Sequence, residues 1–158
     1  MSAVHPCSHI RPAIGLVSLL CLFGLPAAGE DAYEDNDTLP TAYSIAGDER
    51  TWLSGLSGHG ELLDDDWYQI SIDVGFRRVI IECEFDHEEG NIDILLYDGD
   101  GSVLALGESF SNNEHINTLV PTVGFYYVRI TSPGGSTGQT YDLWWDDVQP
   151  SLYDLSVT

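Results

Sequence analysis

Lysine is absent from this chain, and five arginines stand against 26 aspartates and glutamates, giving a formal net charge of -21. Binding to nucleic acid or to an anionic membrane surface requires cations that neutralise phosphates, so that balance excludes both as partners. It suits calcium, basic partners or a salty medium, and it equally suits a solvated, soluble exterior. Cysteine is scarce too, with three in the whole sequence. Cys7 and Cys21 fall in an N-terminal leader, which leaves Cys83 without a partner in its own chain and excludes an internal disulfide. Catalytic signatures are missing. His59, His87 and His115 lie in loops or at strand edges, no serine or cysteine nucleophile motif accompanies them, and no H-E-x-x-H occurs. The acids are too abundant for any pair to be singled out as a glycoside-hydrolysing couple.

Long apolar runs are also lacking. The longest, Ala13 to Leu25, is short for a bilayer span, follows the single formal charge Arg11, and precedes the small residues Ala27-Ala28-Gly29. Residues 1–29 therefore read as a signal peptide, with a retained anchor as the alternative. Bulky Leu20 before Cys21 argues against lipidation there. The expected location is secreted, either extracellular or periplasmic, with no membrane contact after cleavage. Beyond the leader, residues 30–40 form an acidic linker, 41–148 a single β-domain, and 149–158 a tail.

What the chain does have is period-two patterning. Tyr68, Ile70, Ile72 and Val74 alternate with polar residues. Val79 to Phe85 follows, placing Cys83 on the same face as Val79, Ile81 and Phe85 as a buried small hydrophobe. Ile92, Ile94 and Leu96 alternate with Asp93, Leu95 and Tyr97, and Asp98-Gly99-Asp100-Gly101 turns the chain into Ser102 to Leu106. Its misplaced glycines, and Ser109 where a closing glutamate belongs, make that turn a hairpin and not an EF-hand. Ile116 to Val120, Phe125 to Thr131 and Thr140 to Asp146 complete the set, with an early strand around Thr51 to Ser54. Seven or eight short antiparallel strands and no long helix predict an all-β fold, a β-sandwich of jelly-roll type.

Charged residues fix the parity of the later strands. Arg129 facing water sends Tyr126, Val128 and Ile130 inward and Phe125 and Tyr127 outward. Asp142 likewise sends Tyr141, Leu143 and Trp145 inward and Trp144 outward. Leu95, Tyr97, Tyr127 and Trp144 thus become candidates for an outward apolar binding surface, unless they are dispersed in space or cover one another.

Two clusters of hard oxygen donors stand apart in sequence: Tyr33-Glu34-Asp35-Asn36-Asp37-Thr38 in the linker and Asp64-Asp65-Asp66-Trp67-Tyr68 at a strand start. Carboxylates about 4 Å apart repel by roughly 4 kcal/mol at an effective dielectric of ~20, and a shared divalent cation reverses the sign. Separate surface carboxylates are the other reading of the same spacing. Asn36-Asp37-Thr38 is also a glycosylation sequon, and its amide cannot serve both roles.

In order, these motifs resemble the bacterial pre-peptidase C-terminal domain, a relative of the clostridial collagenase collagen-binding domain. The linker is similar to that family's Y-E-x-N-D-T, and Asp64 to Tyr68 to its D-x-D-W-Y. Asn91 to Asp98 resembles its central strand, and Gly124 to Ile130 its G-x-Y-Y-V-R-V. The resemblance spans Asp31 to Asp146. It implies a calcium ion held by Glu34, Asn36, Asp37, Asp64 and Asp66, with Asp31 as a substitute for a linker acid that falls near Ala32. It also implies a non-catalytic accessory or binding module for an extracellular protein or polysaccharide, of the kind appended to secreted proteases. A secreted protease is accordingly a possible partner. The alternative from another class is a structural, acidic envelope or matrix protein with no specific ligand.

Overall fold

The computed structural model describes residues 31–151, so the leader and residues 152–158 lie outside the described residues. Nine strands are present among them: β1 (Tyr43–Ser44), β2 (Gly60–Leu62), β3 (Asp66–Ile72), β4 (Arg78–Phe85), β5 (Asp93–Tyr97), β6 (Val103–Gly107), β7 (Asn113–Leu119), β8 (Gly124–Thr131) and β9 (Gln139–Val148). They form a five-stranded sheet, β1-β3-β8-β5-β6, and a four-stranded sheet, β2-β9-β4-β7. Apart from the β5–β6 hairpin, which stays within one sheet, strands β2 to β9 pass from one sheet to the other in jelly-roll order, which is the sandwich that the patterning predicts. Only β1 departs from antiparallel pairing, running parallel to β3 with Tyr43 opposite Tyr68. No helix among the described residues is long and apolar enough to cross a membrane.

The core is built by the alternation read from the sequence. Tyr68, Ile70 and Ile72 of β3 meet Val79, Ile81 and Cys83 of β4 in the interior. Tyr126, Val128 and Ile130 of β8 meet Tyr141, Leu143 and Trp145 of β9 there. Each large apolar side chain fully withdrawn from water contributes about 1.5–3 kcal/mol before entropy is counted. Trp145 also spends its one polar atom, donating Nε1–H to the carbonyl of Ile45 at 3.1 Å.

Three local expectations are corrected. Residues near 51–54 form no strand; a 3-10 turn covers Leu53–Gly55 with Leu53 buried, and the early strands are β1 and β2 instead. Strands of two and three residues are too short to show a period, and their pairing comes entirely from neighbours. Val74 is 84 % exposed because β3 ends at Ile72, where the Asp73 amide leaves the ladder to donate to Asp147. Tyr97 keeps its outward parity, opposite Tyr127, but is buried.

Cys83 is fully enclosed between the sheets, and burial pushes its thiol well above the ordinary range. Native protein at pH 8 is expected to resist iodoacetamide at Cys83, with labelling appearing only in denaturant, as read by peptide mass spectrometry. Labelling of the folded protein would contradict this packing.

Candidate metal centre

The linker is a docked part of the sandwich. Asp31 accepts the Tyr33 amide at 2.7 Å through one oxygen and the Glu61 amide of β2 at 2.6 Å through the other. Tyr33 is buried, its ring edge-on to Tyr43 and Tyr68 at 5.0 and 5.7 Å. Its hydroxyl lies 2.8 Å from the carbonyls of both Leu53 and Gly58. Further along, the Trp67 amide donates to the Asn36 carbonyl at 2.8 Å. Both ends of the segment are thus pinned to strands, and the residues between them are held over the first residue of β3.

That first residue is Asp66, which occupies an inward position and is wholly buried. An aspartate there is held by a hydroxyl chain reaching into the core. Tyr141 donates to Asp66 Oδ2 at 2.6 Å, and the Tyr68 and Tyr141 hydroxyls are 2.8 Å apart. Gly60 makes room for this chain, since a β-carbon at that position would lie 2.2 Å from Cζ of Tyr141.

Asn36, also buried, sits between Asp66 and Glu34. Its side-chain oxygen faces Asp66 Oδ1 and Glu34 Oε2, and its backbone N–H donates to Glu34 Oε2 at 3.2 Å. Turning the amide over would let its nitrogen donate to those atoms at 3.3 and 3.1 Å. Three oxygens directed at one another are compatible either with that rotation or with a hard cation among them. Carboxylate and amide oxygens are the donor types calcium takes, so the residues present fit that ion.

The five residues expected from the sequence divide into two sets. Glu34, Asn36 and Asp66 come together. Asp37 and Asp64 are exposed at the rim, where Asp37 raises the pKa of both Glu34 and Asp64, and Asp64 raises that of Asp66. Asp31 has both oxygens engaged by backbone amides, and so serves as an anchor where substitution for a missing ligand was expected. Asp65, between Asp64 and Asp66, turns the other way and pairs with Arg129.

Burial dominates the electrostatics. It pushes Glu34 up to about 7, opposed by the Asn36 backbone N–H that donates to it at 3.2 Å and reinforced by Asp31 and Asp37. It pushes Asp66 up to about 8, opposed by the Tyr141 hydroxyl and reinforced by Glu34, Asp31 and Asp64.

A second acidic group escaped the sequence reading. Oxygens of Glu49, Asp146 and Asp147 lie within 4.8 Å of one another at the other end of the sandwich. Asp146 accepts Arg50 Nε at 2.9 Å, and Asp147 accepts the Asp73 amide at 2.6 Å. The signal was the adjacent Asp146-Asp147 pair, where strict alternation in β9 breaks down and both residues are buried.

The proposed binding residues do not form one surface. Leu95, Tyr97 and Tyr127 share the outer face of the five-stranded sheet, whereas Trp144 lies on the four-stranded sheet opposite Glu82. Each aromatic is also covered. Trp67 packs 4.8 Å from Tyr97, Arg129 lies over Trp67 at 5.7 Å, Gln69 donates to the Tyr127 hydroxyl at 3.1 Å, and Trp52 stands 6.3 Å from Trp144. Cross-strand pairs at that range satisfy one another, and sequence parity alone does not reveal such cover.

Neither a family model nor a curated protein matches the sequence. Among solved structures, the chain is similar to the pre-peptidase C-terminal domain of collagenase from Bacillus anthracis. The TM-score is 0.50 with 17 % identity, over 62 % of this chain and 90 % of that one. At that identity the likeness shows the fold, and the fold is the one the motif order resembles.

Proposed function

We propose that this chain is a secreted, calcium-stabilised accessory module that binds an extracellular protein or polysaccharide and performs no catalysis. One observation carries the reading: the linker and the start of β3 bring Glu34, Asn36 and Asp66 together, two carboxylates about one amide. The sandwich shared with a collagenase domain supports an accessory role, and a secreted protease is a natural neighbour for it. Glu34, Asn36 and Asp66 would hold the ion, with Asp37 and Asp64 completing the shell from the rim. The bound ion supplies positive charge that lets these carboxylates ionise together. It thereby fixes the linker, and with it Tyr33, against the sandwich.

Calcium at ~100-fold excess over its dissociation constant is expected to stabilise the fold by about 2.7 kcal/mol, a rise of about 10 °C in melting temperature for a domain of this size. Glu34→Gln and Asp66→Asn should abolish the rise, as measured by calorimetry with calcium against chelator. Coincident melting curves for the unaltered protein in the two conditions would end the metal reading.

Acidity should tune the same equilibrium. Asp66 and Glu34 titrate near 8 and 7 in the folded chain, against ordinary values of 3.8 and 4.5. Between about pH 4 and pH 8 the folded state therefore holds protons that the unfolded chain has released, so stability without metal falls as pH rises through that window. Calcium competes with those protons, and its stabilising increment should grow over the same range. Melting scans in chelator at pH 5, 6.5 and 8 are expected to show a declining series. A rising series would contradict these shifts.

A further inference from the structure

The loops 86–92, 108–112 and 132–138 leave the two sheets at the same end, and a cleft of about 560 Å³ lies among them. We propose that this cleft takes the guanidinium of an arginine presented by a basic segment of an extracellular protein. The inference rests on the binding-module reading and names the chemistry of its partner.

The polar groups of the cleft can mainly accept. Asp93 and Glu108 contribute carboxylates. Asn91 donates an amide hydrogen to Asp93 Oδ1 at 2.7 Å, which holds that carboxylate in place. No arginine, lysine or histidine lines the space. An occupant must therefore bring donors and positive charge. Guanidinium has five N–H donors and no acceptor, whereas a sugar hydroxyl brings both in equal measure. A compact metal ion fits less well, because two carboxylates are the only charged groups that line so wide a space. Burial raises the pKa of Asp93, the Asn91 bond opposes this, and Glu108 adds to it, a repulsion that a cation between the two acids would relieve.

The third wall is aromatic. Phe110 is 92 % exposed, yet the residues beside it are tied down. Ser109 donates through its amide and hydroxyl to buried Glu114 at 2.8 and 2.6 Å, and the Ser111 hydroxyl lies 2.8 Å from that of Ser109. The Phe110 ring, met at a right angle by the His87 ring at 6.4 Å and otherwise held out in water by a braced loop beside two carboxylates, offers a face for a planar cation to stack on. Pro133 and Gly134 close the cleft from the other side.

The test is a titration of the whole protein, followed by NMR at 0.15 M salt, with an acetylated and amidated peptide carrying one arginine among glycines. Its citrulline counterpart has the same shape without the charge. The arginine peptide should give saturable shifts at residues around Phe110, and the citrulline peptide none. Phe110→Ala and Glu108→Gln should each weaken binding by at least about threefold. Both positions are exposed, so unchanged melting temperatures will show that the fold survives. Asp100→Asn, an exposed acid at the opposite end, should leave binding unchanged. Three results would each overturn the inference: binding that survives both cleft variants, binding that falls equally with Asp100→Asn, or Phe110-dependent binding of a neutral chitooligosaccharide in place of the peptide. Calcium melting curves test the metal independently, so either reading can fail without the other.

Discussion

A carboxylate buried at the mouth of an apolar sandwich sets the terms for everything around it. Asp66 begins β3 on the inward side, and burying its charge costs several kcal/mol unless the charge is matched. The nearest groups, Glu34, Asp31 and Asp64, carry the same sign and raise that cost. The described residues offer the Tyr141 hydroxyl and the Asn36 amide in compensation, and neither carries a positive charge. The linker's docking is tied to the same account. Tyr33 is plugged into a pocket of carbonyls and aromatic rings, while Glu34 and Asn36, close behind it, are pressed against Asp66. Apolar packing and hydrogen bonds pull the segment in, and carboxylate repulsion pushes it out. A divalent cation moves that balance with one bound particle, whereas protonation needs a proton on each crowded acid.

The shortage of cations sharpens this balance, because the four arginines among the described residues are already engaged. Arg50 meets Asp146, Arg129 meets Asp65 over the Trp67 ring, Arg77 donates to the Pro121 carbonyl, and Arg78 pairs with Asn117. None of these partners belongs to Glu34, Asp66, Asp93 or Glu108. These arginine contacts leave those acids without a matching positive charge, and the net charge of -21 favours the arrival of a cation from a distance.

Legibility in the sequence followed physical range. The long strands β3, β4, β8 and β9 each have seven or more residues, and their inward parity was visible because apolar residues alternate along β3 and β4, while Arg129 and Asp142 fix the faces of β8 and β9. Their core partners were therefore readable residue by residue. The two- and three-residue strands β1 and β2 carry no period and are defined only by the strands they meet. The linker cluster was legible through motif order, but not its division of labour. Nothing in the sequence distinguishes Asp31, whose oxygens are consumed by backbone amides, from Glu34, whose oxygen is turned toward Asp66. The outer aromatics failed for a related reason: parity gives the side of a sheet on which Tyr97 emerges, and only the fold shows Trp67 lying across it.

The loop 132–138 connects the two acidic regions at this end of the molecule. Its Gly135, Ser136 and Thr137 line a hollow with Asp64 and Asp65, next to the linker cluster, while its Pro133 and Gly134 wall the cleft beside Phe110. Gly138 ties it to β2 through a 2.7 Å bond to the Leu62 carbonyl. Behind it, the buried amide of Gln139 packs against Gly90, where a β-carbon would lie 1.9 Å from Nε2. Such close approach leaves no room for a side chain between the turn before Asn91 and the start of β9. The wall of the cleft is thus built on the same short span of backbone that abuts Asp64.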